Sequence, residues 1–169
     1  MKREPARQPR RFSKPAIGFI GARRWGVATR ALALAVREAL AAEAPHVRGD
    51  VTVVLTSDRD VRALNARYRG LDRPTDVLSF EIGDGRRAGE PFGDIVVSVE
   101  TARRQARSQG VALDTELRRL IVHGALHLSG HDHHERAQAA RMAAAARAVL
   151  ARVERSSASD GASRARSAR

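Results

Sequence analysis

His123 and His127 stand four residues apart in a run whose composition predicts a helix, so their imidazoles project from one face and can grip a single ion. Gly130 follows. Glycine adopts the left-handed conformation cheaply, so the helix can stop after Ser129 and the chain can carry His133 back toward the helical pair. Three neutral ring nitrogens converging on one point suit one zinc ion. With only three protein ligands, a position stays open for water or substrate, as in a catalytic rather than a structural site. Nickel and copper also accept three imidazoles. A single histidine here would more simply complement the helix dipole, but the pair, the glycine and the third histidine together favour metal. His131 and His134 flank His133 and are read as exposed neighbours, either of which could donate a proton or replace a ligand.

Histidines at this spacing, with the same glycine, also occur in zinc proteases whose second motif position is the general-base glutamate. Here that position is Gly124, so peptide hydrolysis by that route lacks its base and charge must come from elsewhere. Arg69 and Arg73, in the stretch from Tyr68 to Asp76, are fixed cations whose forked donors match phosphate oxygens. Arg69 could equally cap the preceding helix or pair with Asp72 or Asp76. Asp94 and Asp132 could orient an imidazole or serve as ordinary cap and turn residues.

These groups need elements to hold them. Ile17 to Ile20, Val51 to Leu55, Val77 to Phe80 and Ile95 to Val99 are short β-branched, apolar runs and predict four strands. Helical spacing and strong helix formers predict helices from Ala28 to Glu43, from about Arg59 to Tyr68 behind Ser57 or Asp58, and from Thr101 to Gln109 before Gly110. Two more are predicted, from about Leu113 to Ser129 and from about Glu135 to Val153. In the first of these, Leu113, Leu117, Leu120, Ile121, Gly124 and Leu128 form one apolar stripe with His123 and His127 on its border. The ligands should therefore sit at the edge of the core. Four strands and about five helices indicate an α+β or α/β layer with one small sheet, and the histidine pair puts the expected zinc site at the end of a central helix.

A chain of 169 residues suffices for one core. Cysteine is absent, which excludes disulfides and thiolate ligands and fits a cytoplasmic location. The longest apolar-looking stretch, Ala31 to Ala42, is interrupted by Arg37 and Glu38 and is too short to span a bilayer. Much of the net charge of +12 lies at the ends. Residues 1–15 and 154–169 are rich in Arg, Ser, Ala or Pro and are expected to be flexible basic tails flanking a domain at residues 16–153. Such arms attract phosphate diffusely or are merely solvated. No apolar signal segment opens the chain, and Pro5, Pro9 and Pro15 oppose an amphipathic organellar presequence.

The run His-Gly-x-Leu-His-Leu-x-Gly-x-Asp-His, from His123 to His133, closely resembles the signature of the YbeY family of bacterial endoribonucleases, also called rRNA maturation factors. Tyr68-Arg69-Gly70 with Pro74 to Phe80, then Gly93-Asp94-Ile95, then Glu116 ahead of the histidines agree with it in order and spacing. The resemblance covers the chain from about Ile17 to Val153. It implies a single-domain α+β metalloprotein with a small mixed sheet and one zinc ion held by His123, His127 and His133, and it favours Arg69 as a catalytic and substrate-binding residue beside His123, read as catalytic, and Arg73, read as substrate-binding from its forked donors. It further implies hydrolysis of single-stranded RNA in 16S rRNA 3′-end maturation, with the ribosome or its small subunit as partner. One position departs from the family: the residue before Asp132, usually aromatic, is His131. Two other readings are a noncatalytic rRNA-binding assembly factor in which metal only holds the fold, and a zinc hydrolase of another substrate class.

Overall fold

Val51, Val53 and Leu55 are buried while Thr52, Val54 and Thr56 are half-buried, the period-two alternation that makes β2 (Asp50–Thr56) an inner strand. The computed structural model describes residues 14–132 and 135–167, with side chains through Ser156. Beside β2 run β1 (Ile17–Ile20) and β4 (Pro91–Ser98), both parallel to it, and β3 (Val77–Glu81) closes the sheet antiparallel to β4 in the order β1-β2-β4-β3. β3 is therefore an edge strand. The register pairs Val77 with Val97 and Glu81 with Gly93.

Six helices among the described residues complete the α+β domain: α1 (Ala22–Trp25), α2 (Arg30–Glu43), α3 (Asp58–Arg69), α4 (Val99–Gln109), α5 (Leu113–Leu128) and α6 (Arg136–Ser167). The helix not expected from sequence is α1, a single turn between left-handed Gly21 (φ 82°) and Gly26 (φ 65°), too short to show a period. β4 begins at Pro91 rather than beside Ile95, so Gly93 and Asp94 lie well inside the strand, and Val99 opens α4 instead of ending β4. α6 buries Met142, Val149 and Val153, and it continues past the end expected at Val153 because no proline interrupts the Arg, Ser and Ala that follow.

α3 covers one sheet face, where Val61, Leu78 and Val96 form a small cluster with Phe80. The main core lies on the other face around α5, which is buried on nearly every side. A helix so enclosed must be apolar almost all round, and Val122, Ala125 and Leu126 extend the apolar stripe accordingly. The N-termini of α3 and α4 cap each other. Glu100 accepts from the Asp58 backbone N–H at 2.8 Å, while the Asp58 carboxylate accepts from Thr101 Oγ1 at 2.6 Å and from Ser98 Oγ, and pairs with Arg104 at 2.8 Å. Burial pushes the Asp58 carboxyl up, but the hydrogen bonds from Arg104, Ser98 and Thr101 outweigh it and bring the pKa from 3.8 down to about 2.

Candidate metal centre

The end of α5 is built by Gly130. With φ at +85°, it lets its own N–H reach the His127 carbonyl at 2.9 Å and the His131 N–H reach the Leu126 carbonyl at 3.0 Å, a Schellman closure. The same turn swings the His131 carbonyl onto the His127 ring, whose Nδ1–H donates to it at 3.0 Å. A carbonyl only accepts, so the His127 proton sits on Nδ1 and the Nε2 lone pair is left for another partner. That lone pair faces His123: the two Nε2 atoms are 3.2 Å apart, and the rings lie 84° to one another with centroids 4.7 Å apart. Two ligands of a tetrahedral ion at Zn–N of about 2.0–2.1 Å stand roughly 3.3–3.4 Å apart, so the pair fits such an ion with almost no adjustment. His133, the expected third ligand, and His134 lie outside the described residues. Among the described residues no three His, Cys, Asp or Glu side chains surround one point.

Two glycines bring α5 down onto the sheet. A Cβ on Gly124 would stand 2.7 Å from Ile95 Cγ2 and 3.0 Å from Ser79 Oγ, and a Cβ on Gly93 would stand 2.7 Å from Leu128 Cδ2. Ser79 Oγ completes the contact by donating to the Gly124 carbonyl at 3.0 Å. The protease-like glutamate missing at Gly124 thus has a packing reason: even a Cβ there collides with Ile95, and a longer side chain would push the helix off the sheet.

His123 and His127, both half-buried, open into a cleft of about 730 Å³ whose other walls include Arg69, Asp76, Ser79 and Glu81. Arg69, exposed in the last turn of α3, makes no ion pair among the described residues. Its two alternative partners are engaged elsewhere. Asp72 takes a bidentate pair from Arg62 at 2.7 Å, and Asp76 accepts from the Val77 N–H at 2.8 Å and from Gln105 Nε2 at 3.0 Å. Arg73 is not a wall of this cleft; it is exposed on the neighbouring loop, where its carbonyl accepts from Asn65 Nδ2 at 2.8 Å.

Asp94 cannot orient either imidazole. Its neighbour Ile95 faces α5, so by strand alternation Asp94 faces the opposite side of the sheet. Asp132 lines the cleft. His131 turns its Nε2 to Glu43 at 3.0 Å, so the ring at the usually aromatic position ties the turn to α2 and only its carbonyl serves His127. Ser79 lies inside the Pro74 to Phe80 stretch without being marked there as a site residue, and Glu81 lies just beyond it. A small polar residue inside the apolar run Val77 to Phe80 was the available signal for Ser79, whereas Glu81 carried none.

The family model described as Endoribonuclease YbeY matches residues 24–154. Curated relatives with that name include one from Heliobacterium modesticaldum, 45% identical over 60% of this chain and 68% of its own length. One from Sinorhizobium medicae is 42% identical over 72% of each chain, and one from Gloeobacter violaceus is 57% identical over 50% of this chain and 46% of its own. A Thermotoga maritima protein solved in solution superposes with a TM-score of 0.57 at 27% identity, covering 86% of this chain and 92% of its own. A match of this length, on a chain that folds and places its histidines as described, leaves one assignment: the chain belongs to the YbeY family.

Proposed function

We propose that this chain is a zinc-dependent endoribonuclease that cleaves single-stranded RNA in the maturation of the 16S rRNA 3′ end. The observation that carries the reading is the convergence of the His123 and His127 Nε2 atoms at 3.2 Å inside a cleft that also exposes Arg69, which makes no ion pair among the described residues. His133 supplies the third ligand. A zinc ion held there contributes Lewis acidity toward water and toward a phosphoryl oxygen. The protein's own part is positional and electrostatic. The His131 carbonyl holds the His127 tautomer, and Ser79 anchors the helix through Gly124. Arg69 neutralises charge growing on the phosphoryl oxygens as the bond to the leaving oxygen breaks. Arg73, beside the cleft, and the basic ends at residues 1–15 and 154–169 draw the RNA backbone in, with the small ribosomal subunit as the partner that presents it. No helix among the described residues is long and apolar enough to cross a membrane. The proposed site of action is the cytoplasm, where ribosomal RNA matures.

The test combines metal analysis of the purified protein with cleavage of a single-stranded RNA by the wild type, His127→Ala and Arg69→Glu. Bound zinc near one equivalent, lost in His127→Ala, with cleavage abolished in both variants, is the expected result. Undiminished cleavage in both identifies a contaminating nuclease and overturns the proposal. RNA binding that survives zinc removal, with no cleavage by the wild type, assigns the noncatalytic assembly role instead.

A further inference from the structure

Tyr68 and Arg69 are consecutive, yet they reach opposite sides of the β3 edge. Arg69 shares the cleft with Ser79 and Glu81, whereas the Tyr68 ring packs edge-on against Phe80 at 5.1 Å, on the face that α3 covers. Ser79 and Phe80 alternate along the strand, so the pair straddles it. Tyr68 is the only tyrosine in the chain and is 58% exposed. Phe80 supports the ring along one side, and the Arg67 guanidinium lies over it, 5.4 Å from the centroid. A supported, solvent-facing ring flanked by cations on both sequence neighbours has the makeup of a nucleobase platform: an aromatic face for the base, permanent charges for the phosphates on either side. The fold alone does not require this exposure, since a leucine would cover Phe80 as well.

We infer that Tyr68 stacks one base of single-stranded RNA whose adjoining phosphate lies at Arg69, so that the strand crosses the open edge of β3 on its way into the cleft. The inference rests on the ribonuclease reading of that cleft and adds to it the element that makes the enzyme choose single strands. A base in a duplex keeps both faces stacked and offers none to Tyr68. Stacking tolerates any base, so the preference is for unpaired RNA over paired RNA, with little discrimination by sequence.

The experiment uses the full chain and a short single-stranded RNA carrying 2-aminopurine, with 2′-O-methyl sugars to block attack by its own 2′-hydroxyls and a denaturing gel after each titration to check that the strand is intact. Binding to the wild type and to Tyr68→Phe should quench the fluorophore. Tyr68→Leu, which keeps the apolar cover on Phe80, should bind about tenfold or more weakly and lose the quench. A fully paired version of the same RNA should bind all three proteins alike. Equal affinity and equal quenching in Tyr68→Leu overturn the inference, as does equal weakening in Tyr68→Phe. Thermal melts of the three proteins confirm that the folds match. This readout needs no cleavage, so an inactive wild type that still shows the stacking signature defeats the ribonuclease reading alone, and an active wild type indifferent to Tyr68 defeats the stacking alone.

Discussion

The Nδ1–H of His127 donates to the carbonyl of His131 at 3.0 Å, which ties the electronic state of a proposed metal donor to the backbone turn that ends its own helix. The turn depends on Gly130 at φ +85°. Gly130→Ala should therefore cost about 1 kcal/mol of stability through the left-handed backbone, and in addition weaken zinc binding about tenfold or more as the carbonyl shifts off the ring. Competition with a chromogenic chelator, read beside a denaturant melt, separates the two effects. Unchanged zinc affinity in a destabilised variant would dissociate the turn from the donor.

His131 itself should be dispensable as a ligand, because its ring pairs with Glu43. His131→Gln is expected to retain one equivalent of zinc by mass spectrometry, where His123→Ala and His127→Ala lose it. A stoichiometry that falls in His131→Gln places that ring in the ligand set.

Gly124→Ala introduces a methyl 2.7 Å from Ile95 Cγ2, and overpacking of this kind costs about 1–3 kcal/mol. Shortening the opposing residue should recover part of the loss, so the double variant with Ile95→Ala should be more stable than the sum of the two single changes predicts. Urea unfolding of the four proteins measures the coupling.

Arg69→Ala should leave the fold intact, because Arg69 makes no ion pair among the described residues, while lowering kcat on single-stranded RNA about 10²–10³-fold. Arg69→Lys should restore only part of the rate, since a point charge does not replace the planar fork. Steady-state kinetics with a melting control checks both, and a rate equal to wild type in Arg69→Ala removes the residue from the reaction.

Asp58 gives the fold an acid limit. Its folded pKa of about 2 lies below the ordinary 3.8, so the ionised carboxylate stabilises the fold above pH 3.8 and that contribution drains away as the pH falls through 2. The difference amounts to about 2 kcal/mol, for a side chain 25% exposed. Asp58→Asn should be less stable than wild type at neutral pH and converge with it near pH 2. Parallel stability curves over that range would mean that another carboxylate sets the limit.

The donor pair and the glycine after it are legible in the sequence because a ligand spacing and a helix stop are local patterns, complete within eight residues from His123 to Gly130. All four strands and the five longer helices share that property. The walls of the cleft do not. That Ser79 and Glu81 face the histidines follows from which side of β3 meets α5, a matter of sheet register between Val77 to Glu81 and Gly93 to Val97. The cap exchanged between Asp58 and Glu100 joins residues 42 apart, and nothing near either one announces it. Gly124 is the instructive middle case: the sequence shows that a base is missing there, and only the packing on Ile95 and Ser79 shows why none could be present.

The enclosure of α5 bears on how long a metal-free molecule keeps its donors in place. Amide protons of a helix buried on nearly all sides exchange with solvent only when the whole domain opens, so the backbone under His123 and His127 should be among the slowest-exchanging in the chain, with zinc or without. If His123 and His127 hold an ion as proposed, the helix beneath them outlasts its loss, and a chain stripped of metal is expected to reload without refolding.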